Sequence, residues 1–424
     1  MKDMKLVRLF AYEILASGGY PTLEVEAVLD NGASGRASVP YGASAGSYEA
    51  TVLVDMDAAR WQGQGMLQAV GNVLGAIAEG LIGKEVDNPR AVDEVLIGLD
   101  GTSNKARLGG NAILAVSLAT ARAVASAKNQ ELYQHIVESY GLRPDFKKLP
   151  HPMVVAIEGG KHADETTDLQ EYCMLGVQPE KVSEAVRQTL ESYHSLKKVL
   201  RAANLSTNVG NEGAFAPNGI ASNEAPFAFM SEAILGAGYT PGQQVAFAVD
   251  AAASEYFSEG RYQLKLENKS LSSEEIIGYY EAWFEKYPIL TFEDPLHEDD
   301  WDNWKKMKTV ADKHNIFLIG DDLTVTSKER LQKAIDMGAI SAILIKLNQI
   351  GTLTETIDCC ELARKHGLAT VTSHRGGGET NDAAMIDVAV AVGSAYVKVG
   401  PTRGERVSKY NRLMEIERQV KSVG

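Results

Sequence analysis

After residue 150 the chain alternates short runs of β-branched and aliphatic residues with longer amphipathic segments, and several of the short runs end in a charged residue. Residues 245–249 precede Asp250, residues 289–292 precede Glu293, and residues 316–320 precede Asp321 and Asp322. Residues 342–345 precede Lys346, residues 369–373 precede His374 and Arg375, and residues 396–397 precede Lys398. The steps between these polar positions are 43, 28, 25, 28 and 24 residues. A strand, a helix and the return to a parallel neighbour take roughly 25–30 residues, so the spacing predicts consecutive turns of one repeating α/β architecture. The intervening segments carry helix punctuation. Thr326 and Glu329 have capping-box spacing, and Gly338 stands where that helix stops. The next helix starts near Gly351 and Thr352, puts Leu353, Ile357 and Cys360 on one face, and ends at Gly367. A (β/α)8 barrel gathers such strand-end residues on its catalytic rim. A doubly wound sheet also places polar residues at strand ends, but the number of consecutive units favours closure.

The first 140 residues read differently. They hold one extended segment, residues 23–28, then glycine-rich loops and long helical segments, of which the Ala/Leu-rich residues 110–128 predict a buried helix. Pro144, Pro150 and Pro152 with a charge cluster break any helix around residues 140–152, which places a domain junction there and divides the chain into 1–139 and 140–424.

Composition narrows the function classes. The chain has 424 residues, 45% apolar and 23% charged, as an ordinary globular enzyme of two or three domains has. Its net charge is −14 and no basic patch is evident, which argues against a nucleic-acid partner and an anionic membrane surface. No uninterrupted run of 18 apolar residues appears, so no membrane span is predicted. Glu13 interrupts the apolar run that follows Lys2, Lys5 and Arg8, so a signal peptide is not expected. Three cysteines without a CxxC pair point to a reducing, cytoplasmic compartment, and Cys359 and Cys360 read as packing residues.

Candidate chemistry follows from the strand ends. Asp250, Glu293 and Asp321 on one rim repel each other, and a hard divalent cation with oxygen ligands, Mg²⁺, resolves that conflict. Each acid taken singly also reads as the cap of the helix after it. Lys346 and Lys398 interrupt apolar strands, which is costly without a partner or a task. A lysine beside a bound cation loses its proton more easily and suits a general base; the two lysines also read as counter-ions for neighbouring acids. Glu171 and Glu212 lie in glycine-containing segments, where a second acid facing a lysine base can protonate a leaving hydroxyl; either alone reads as a solvated loop residue. Residues 42–46, Gly-Ala-Ser-Ala-Gly, read as a mobile lid or as a plain turn.

Taken together, these stretches resemble enolase over nearly the whole chain. The matching segments are residues 40–50, 99–105, 159–171, 208–217, 292–295, 320–326, 345–351, 373–375 and 405–411. The resemblance implies a small N-terminal α+β domain closing over a modified barrel that opens ββαα. It implies reversible dehydration of 2-phosphoglycerate to phosphoenolpyruvate with two Mg²⁺, and an assembly of dimers or octamers. By matching positions, it assigns Asp250, Glu293 and Asp321 to the first metal and Ser44 to the second. It makes Lys346 the base, Glu212 the acid with Glu171 as its partner, and Lys398 the cation on the substrate carboxylate. His162, Gln170, His374 and Arg375 match substrate-side residues, with Arg375 on the phosphate.

Four segments depart from the family. After Arg375 the family has a phosphate-binding serine, where this chain has Gly376, Gly377 and Gly378 with one extra residue. Asn211 and Ala214 flank Glu212 and Gly213 where the family has Asp and Gly. Residues 162–165 read His-Ala-Asp-Glu, adding acids near an expected anion, and residues 16–22 lack an arginine that belongs to a subunit contact in the family. These changes keep two alternatives beside an authentic enolase: a related lyase acting on another phosphorylated or phosphonate carboxylate, and a poorly catalytic paralogue with a binding role.

Overall fold

The computed structural model describes residues 4–42, 48–177 and 180–422. The N-terminal part begins with three antiparallel strands, β1 (Leu6–Leu15), β2 (Pro21–Leu29) and β3 (Ser34–Val39), in the order β1-β2-β3. Only β2 is anticipated by the sequence pattern. There Leu23, Val25, Ala27 and Leu29 are buried and alternate with Glu24, Glu26 and Val28, the two-residue period of a half-buried strand. In β1 an irregularity between Leu6 and Arg8 breaks the alternation, and Val7, Tyr12 and Leu15 face outward. β3 is short and polar in composition, so no hydrophobic run marks it.

Helices α1 (Pro89–Asp100), α2 (Gly110–Ala127) and α3 (Leu132–Tyr140) follow, and α2 packs on β2 and β3. Although polar residues interrupt its apolar run, α2 is long and apolar enough to pass the length and composition test for a bilayer span. It is 83% buried inside the fold, which accounts for that composition.

Eight strands then close into a barrel: β4 (His151–Glu158), β5 (Glu171–Gly176), β6 (Val245–Asp250), β7 (Ile289–Glu293), β8 (Phe317–Gly320), β9 (Ala342–Ile345), β10 (Ala369–Ser373) and β11 (Tyr396–Val399). β5 runs antiparallel to both β4 and β6, and every other neighbouring pair is parallel. Two helices, α4 (Val182–Ala202) and α5 (Ala225–Gly236), separate β5 from β6, so the barrel opens ββαα. Met153, Val155, Cys173, Leu175, Ile319, Leu344 and Val371 fill its interior, and a larger apolar shell packs the strands against the outer helices. The ring of eight strands, rather than an open doubly wound sheet, settles the architecture left between two choices by spacing.

The predicted capping box is displaced by one residue. After α6 (Ser273–Phe284) and α7 (Trp301–Lys313), helix α8 (Lys328–Met337) is capped by Ser327, whose Oγ accepts from the Arg330 nitrogen. Thr326 is drawn inward instead: its Oγ1 donates to Gln349 Oε1 at 2.9 Å and accepts from the Lys346 nitrogen at 3.0 Å. Gly338 ends α8 in the left-handed region, and α9 (Leu353–Lys365) begins at Thr352, with Leu353, Ile357 and Cys360 buried. The start of α9 is clasped by the N-terminal part. Asp93 Oδ2 accepts from the Thr354 nitrogen at 2.8 Å, Ser117 Oγ accepts from the Leu353 nitrogen at 3.1 Å, and Lys105 pairs with Glu355 at 2.9 Å.

Candidate active site

Barrel register puts four carboxylates side by side. Glu158 is the partner of Glu171, Glu171 of Asp250, and Asp250 of Glu293 across successive strand pairs. Each side chain is almost fully buried. Glu171, read from sequence as a loop residue, is the first residue of β5. Lys398 lies inside β11, not after it, and aims its ammonium across the barrel. Its Nζ is 2.8 Å from Asp250, 2.9 Å from Glu293 and 3.0 Å from Glu171. Burial works against that charge, but the three carboxylates outweigh it and hold Lys398 well above the ordinary lysine range. Burial and then Asp250 push Glu293 well above the usual carboxylate range, despite Lys398. Gln170 completes this side, with its Nε2 3.4 Å from Asp250 Oδ2.

Asp321 begins a second group. Gln349 Nε2 donates to its Oδ1 at 2.8 Å, and Lys346 Nζ pairs with its Oδ2. Asp294 sits behind, accepting from the backbone nitrogens of Asp321 at 3.0 Å and Asp322 at 2.7 Å. Burial opposes the charge on Lys346, yet Asp321 leaves it above the ordinary lysine value. The lowered value expected of a base beside a cation therefore does not arise from these residues alone.

Glu212 begins the third. It is buried rather than solvated, because its backbone nitrogen and that of Ala214 donate to the Glu158 carboxylate at 3.1 and 2.9 Å. His374 Nε2 lies 3.1 Å from Glu212 Oε2, and His162 Nδ1 stands 3.4 Å from Glu171 and 3.5 Å from Glu212. Burial would discharge His162, but Glu212 and Glu171 lift it to about 9. Burial alone would raise Glu212; the two histidines hold it below the usual carboxylate range. Glu158 is raised to about 8 by burial and then by Glu212. His162, Glu171, Glu212 and His374 thus form one buried cluster of two imidazoles and two carboxylates.

At the remaining wall, Arg375 is fully buried and pairs with Glu49 at 3.1 Å. Gly377 and Gly378 form a two-residue antiparallel ladder with Gly42 and Tyr41. Gly376 is tightly enclosed: a Cβ there would fall 2.7 Å from the His162 ring and 2.8 Å from Glu212 Oε1, so those side chains would have to shift. The additional acids Asp164 and Glu165 are exposed rather than turned to the cavity. Ser44 lies outside the described residues.

One cavity joins these groups. Among the described residues lining it, eight carry carboxylates and three, Lys346, Arg375 and Lys398, carry fixed positive charge. Such an excess in a buried site calls for added positive charge. Asp294, Asp321 and Asp322 bring one oxygen each within 4.8 Å of one another. The carboxylate clusters are compatible with a hard divalent cation. Sequence reading missed Glu158, Glu49 and Asp294. Glu158 had the same signal as the recognised acids, since it ends the run 153–157 just before Gly159 and Gly160. Glu49 and Asp294 had none, because their partners are Arg375 and the turn after β8.

The fold and rim define a two-part barrel protein with lysines and acids at one strand-end face. The model of the family described as "Enolase, N-terminal domain" matches residues 6–136, and that of "Enolase, C-terminal TIM barrel domain" matches residues 146–424. The chain belongs to the enolase family.

Proposed function

We propose that this protein is a lyase that reversibly dehydrates 2-phosphoglycerate to phosphoenolpyruvate with two Mg²⁺. The observation that carries the reading is the convergence of Lys346, Lys398 and Glu212 on one buried, carboxylate-rich cavity. Asp250, Glu293 and Asp321 would hold one cation, and Ser44 would contribute to the second. Bound cations supply positive charge where the carbanion's charge develops next to the substrate carboxylate. Lys346 takes the proton at the carbon beside that carboxylate, and Lys398 neutralises the carboxylate itself. The electron pair left on carbon then expels the hydroxyl, to which Glu212 delivers a proton, with Glu171 beside it. Glu212 is held ionised here by His374 and His162. Substrate binding beside His374 and His162 would have to weaken that hold for Glu212 to carry the proton. Arg375 takes the phosphate.

The triglycine run Gly376–Gly378 in place of the family's serine favours a second reading, in which the same enolisation acts on another phosphorylated or phosphonate carboxylate. We further propose a homo-oligomer, with the exposed Leu15, Tyr20, Met56 and Trp61 as part of its contact. The deciding experiment is an assay for phosphoenolpyruvate from 2-phosphoglycerate with Mg²⁺, with a chelated control. Metal-dependent turnover at an ordinary enzymic rate is the expected result. No turnover by folded, Mg²⁺-binding protein would overturn the 2-phosphoglycerate assignment.

A further inference from the structure

The strongest unassigned feature of the cavity is what occupies Arg375. Its Nη1 and Nη2 stand 3.1 and 3.2 Å from a single oxygen, Oε1 of Glu49, which lies 326 positions earlier in the chain. Both side chains are only 5% exposed. The pair is held from both sides. Gly42 lies so near the guanidinium that a Cβ on it would fall 1.7 Å from Nη2, and Gly42 is fixed to Gly377 by the short ladder. Two segments that depart from the family meet at this point. Ser17 Oγ donates to the Gly377 oxygen at 3.1 Å and the Ser17 nitrogen donates to the Glu379 oxygen at 2.8 Å, while a Cβ on Gly18 would fall 2.7 Å from the Gly377 oxygen. The triglycine loop and the turn after β1 are therefore one contact.

A guanidinium offers the same donors to a carboxylate and to a phosphate. We propose that Glu49 is an internal counter-ion that competes with anionic ligands for Arg375, so that a ligand's phosphoryl group meets Nη1 and Nη2 of this guanidinium in competition with the Glu49 carboxylate. This rests on the reading that Arg375 meets the ligand's anionic end. Glu49 is tethered beside its target, so it competes at high effective concentration, in a buried site where charge pairs are weakly screened. It sets how much affinity for the anion is left over, and thereby the selectivity between weakly and strongly charged ligands.

Inorganic phosphate is the probe. Its dissociation constant is measured by calorimetry on the full chain for wild type, Glu49→Gln, Arg375→Ala and the double variant. Glu49→Gln keeps the shape and removes the competing charge, and it should bind phosphate about tenfold more tightly, in the range measured for charge pairs at interfaces. The gain should vanish in the Arg375→Ala background. Glu49→Asp, which draws the carboxylate back by one methylene, should tighten phosphate in the same direction if the amide variant does not fold. Unchanged or weaker phosphate binding by a folded Glu49 variant, or an equal gain without Arg375, would overturn the proposal. Turnover of 2-phosphoglycerate by wild type tests the enzymic reading separately. Wild-type turnover with no phosphate gain in the variants defeats only the counter-ion; a phosphate gain without wild-type turnover defeats only the substrate.

Discussion

Lys398 and Lys346 face similar acids with different consequences. Lys398 Nζ is within 3.0 Å of Asp250, Glu293 and Glu171, all buried. Lys398→Met would leave those acids without a counter-charge and should destabilise the fold by about 3–5 kcal/mol in chelator, the range for breaking a buried pair. Added Mg²⁺ should restore part of the loss. Thermal melts with and without the ion check this, and an unchanged melting temperature in chelator would refute the electrostatic account. Lys346 is more open and has one principal partner, Asp321. Lys346→Ala should abolish turnover with the melting temperature nearly unchanged, since it deletes a base at a rim and no core volume. A large fall in stability with activity retained would contradict the assignment. Both lysines were legible in sequence, because a charged residue interrupting an apolar run is costly without a partner or a task, though counter-ion and base fitted equally there. Their different partner sets were not, since these come from strands up to 227 positions away, as Glu171 and Lys398 are.

Elements bring the same lesson through their ends. Helix α9 starts on Asp93, a fully buried carboxylate with Oδ1 unpartnered. Burial raises it from 3.8 to about 6, against hydrogen bonds from Ser117 and Thr354. A group raised in the folded state binds its proton more tightly there. Its stabilisation is complete below the unfolded value and is lost as pH rises through about 6. Wild type should therefore lose about 2 kcal/mol relative to Asp93→Asn between pH 4 and pH 6.5, read as a difference between denaturant midpoints. Parallel profiles for the two proteins would remove Asp93 from the account. The turn after β10 gives a second element-scale expectation. Gly376→Ala places a methyl 2.7 Å from His162, so kcat should fall at least tenfold while the melting temperature moves by only a few degrees. Kinetics equal to wild type would mean that the His162 loop yields freely. Helix starts were readable to within one residue. Thr326 and Ser327 both suit a cap, and the choice between them was made by Gln349, a buried acceptor that only the fold supplies.

For the whole molecule, the balance of charge in the cavity sets the response to metal. Eight carboxylates face three fixed cations among the described lining residues. A divalent cation binding the folded state alone stabilises by about 2.7 kcal/mol at a hundredfold excess over Kd. Mg²⁺ should thus raise the melting temperature and chelator should lower it, while monovalent salt at equal ionic strength should do much less. Equal effects of Mg²⁺ and NaCl would show that no specific cation site exists.

The sequence by itself determined the repeating strand–helix units, the charged residues that gather at the strand ends and the family, since strand period, unit length and motif spacing are local properties of the chain. It left β1 and β3 unread, because a broken alternation and a short polar strand have no signature without the sheet and α2 that cover them. Only the tertiary structure decided which acids stand together. Barrel register aligned Glu158, Glu171, Asp250 and Glu293, and packing of the N-terminal part against the rim brought Glu49 to Arg375. The physical reason is that a buried charge takes whatever partner the closed fold places within reach, and closure joins residues that no window of sequence contains.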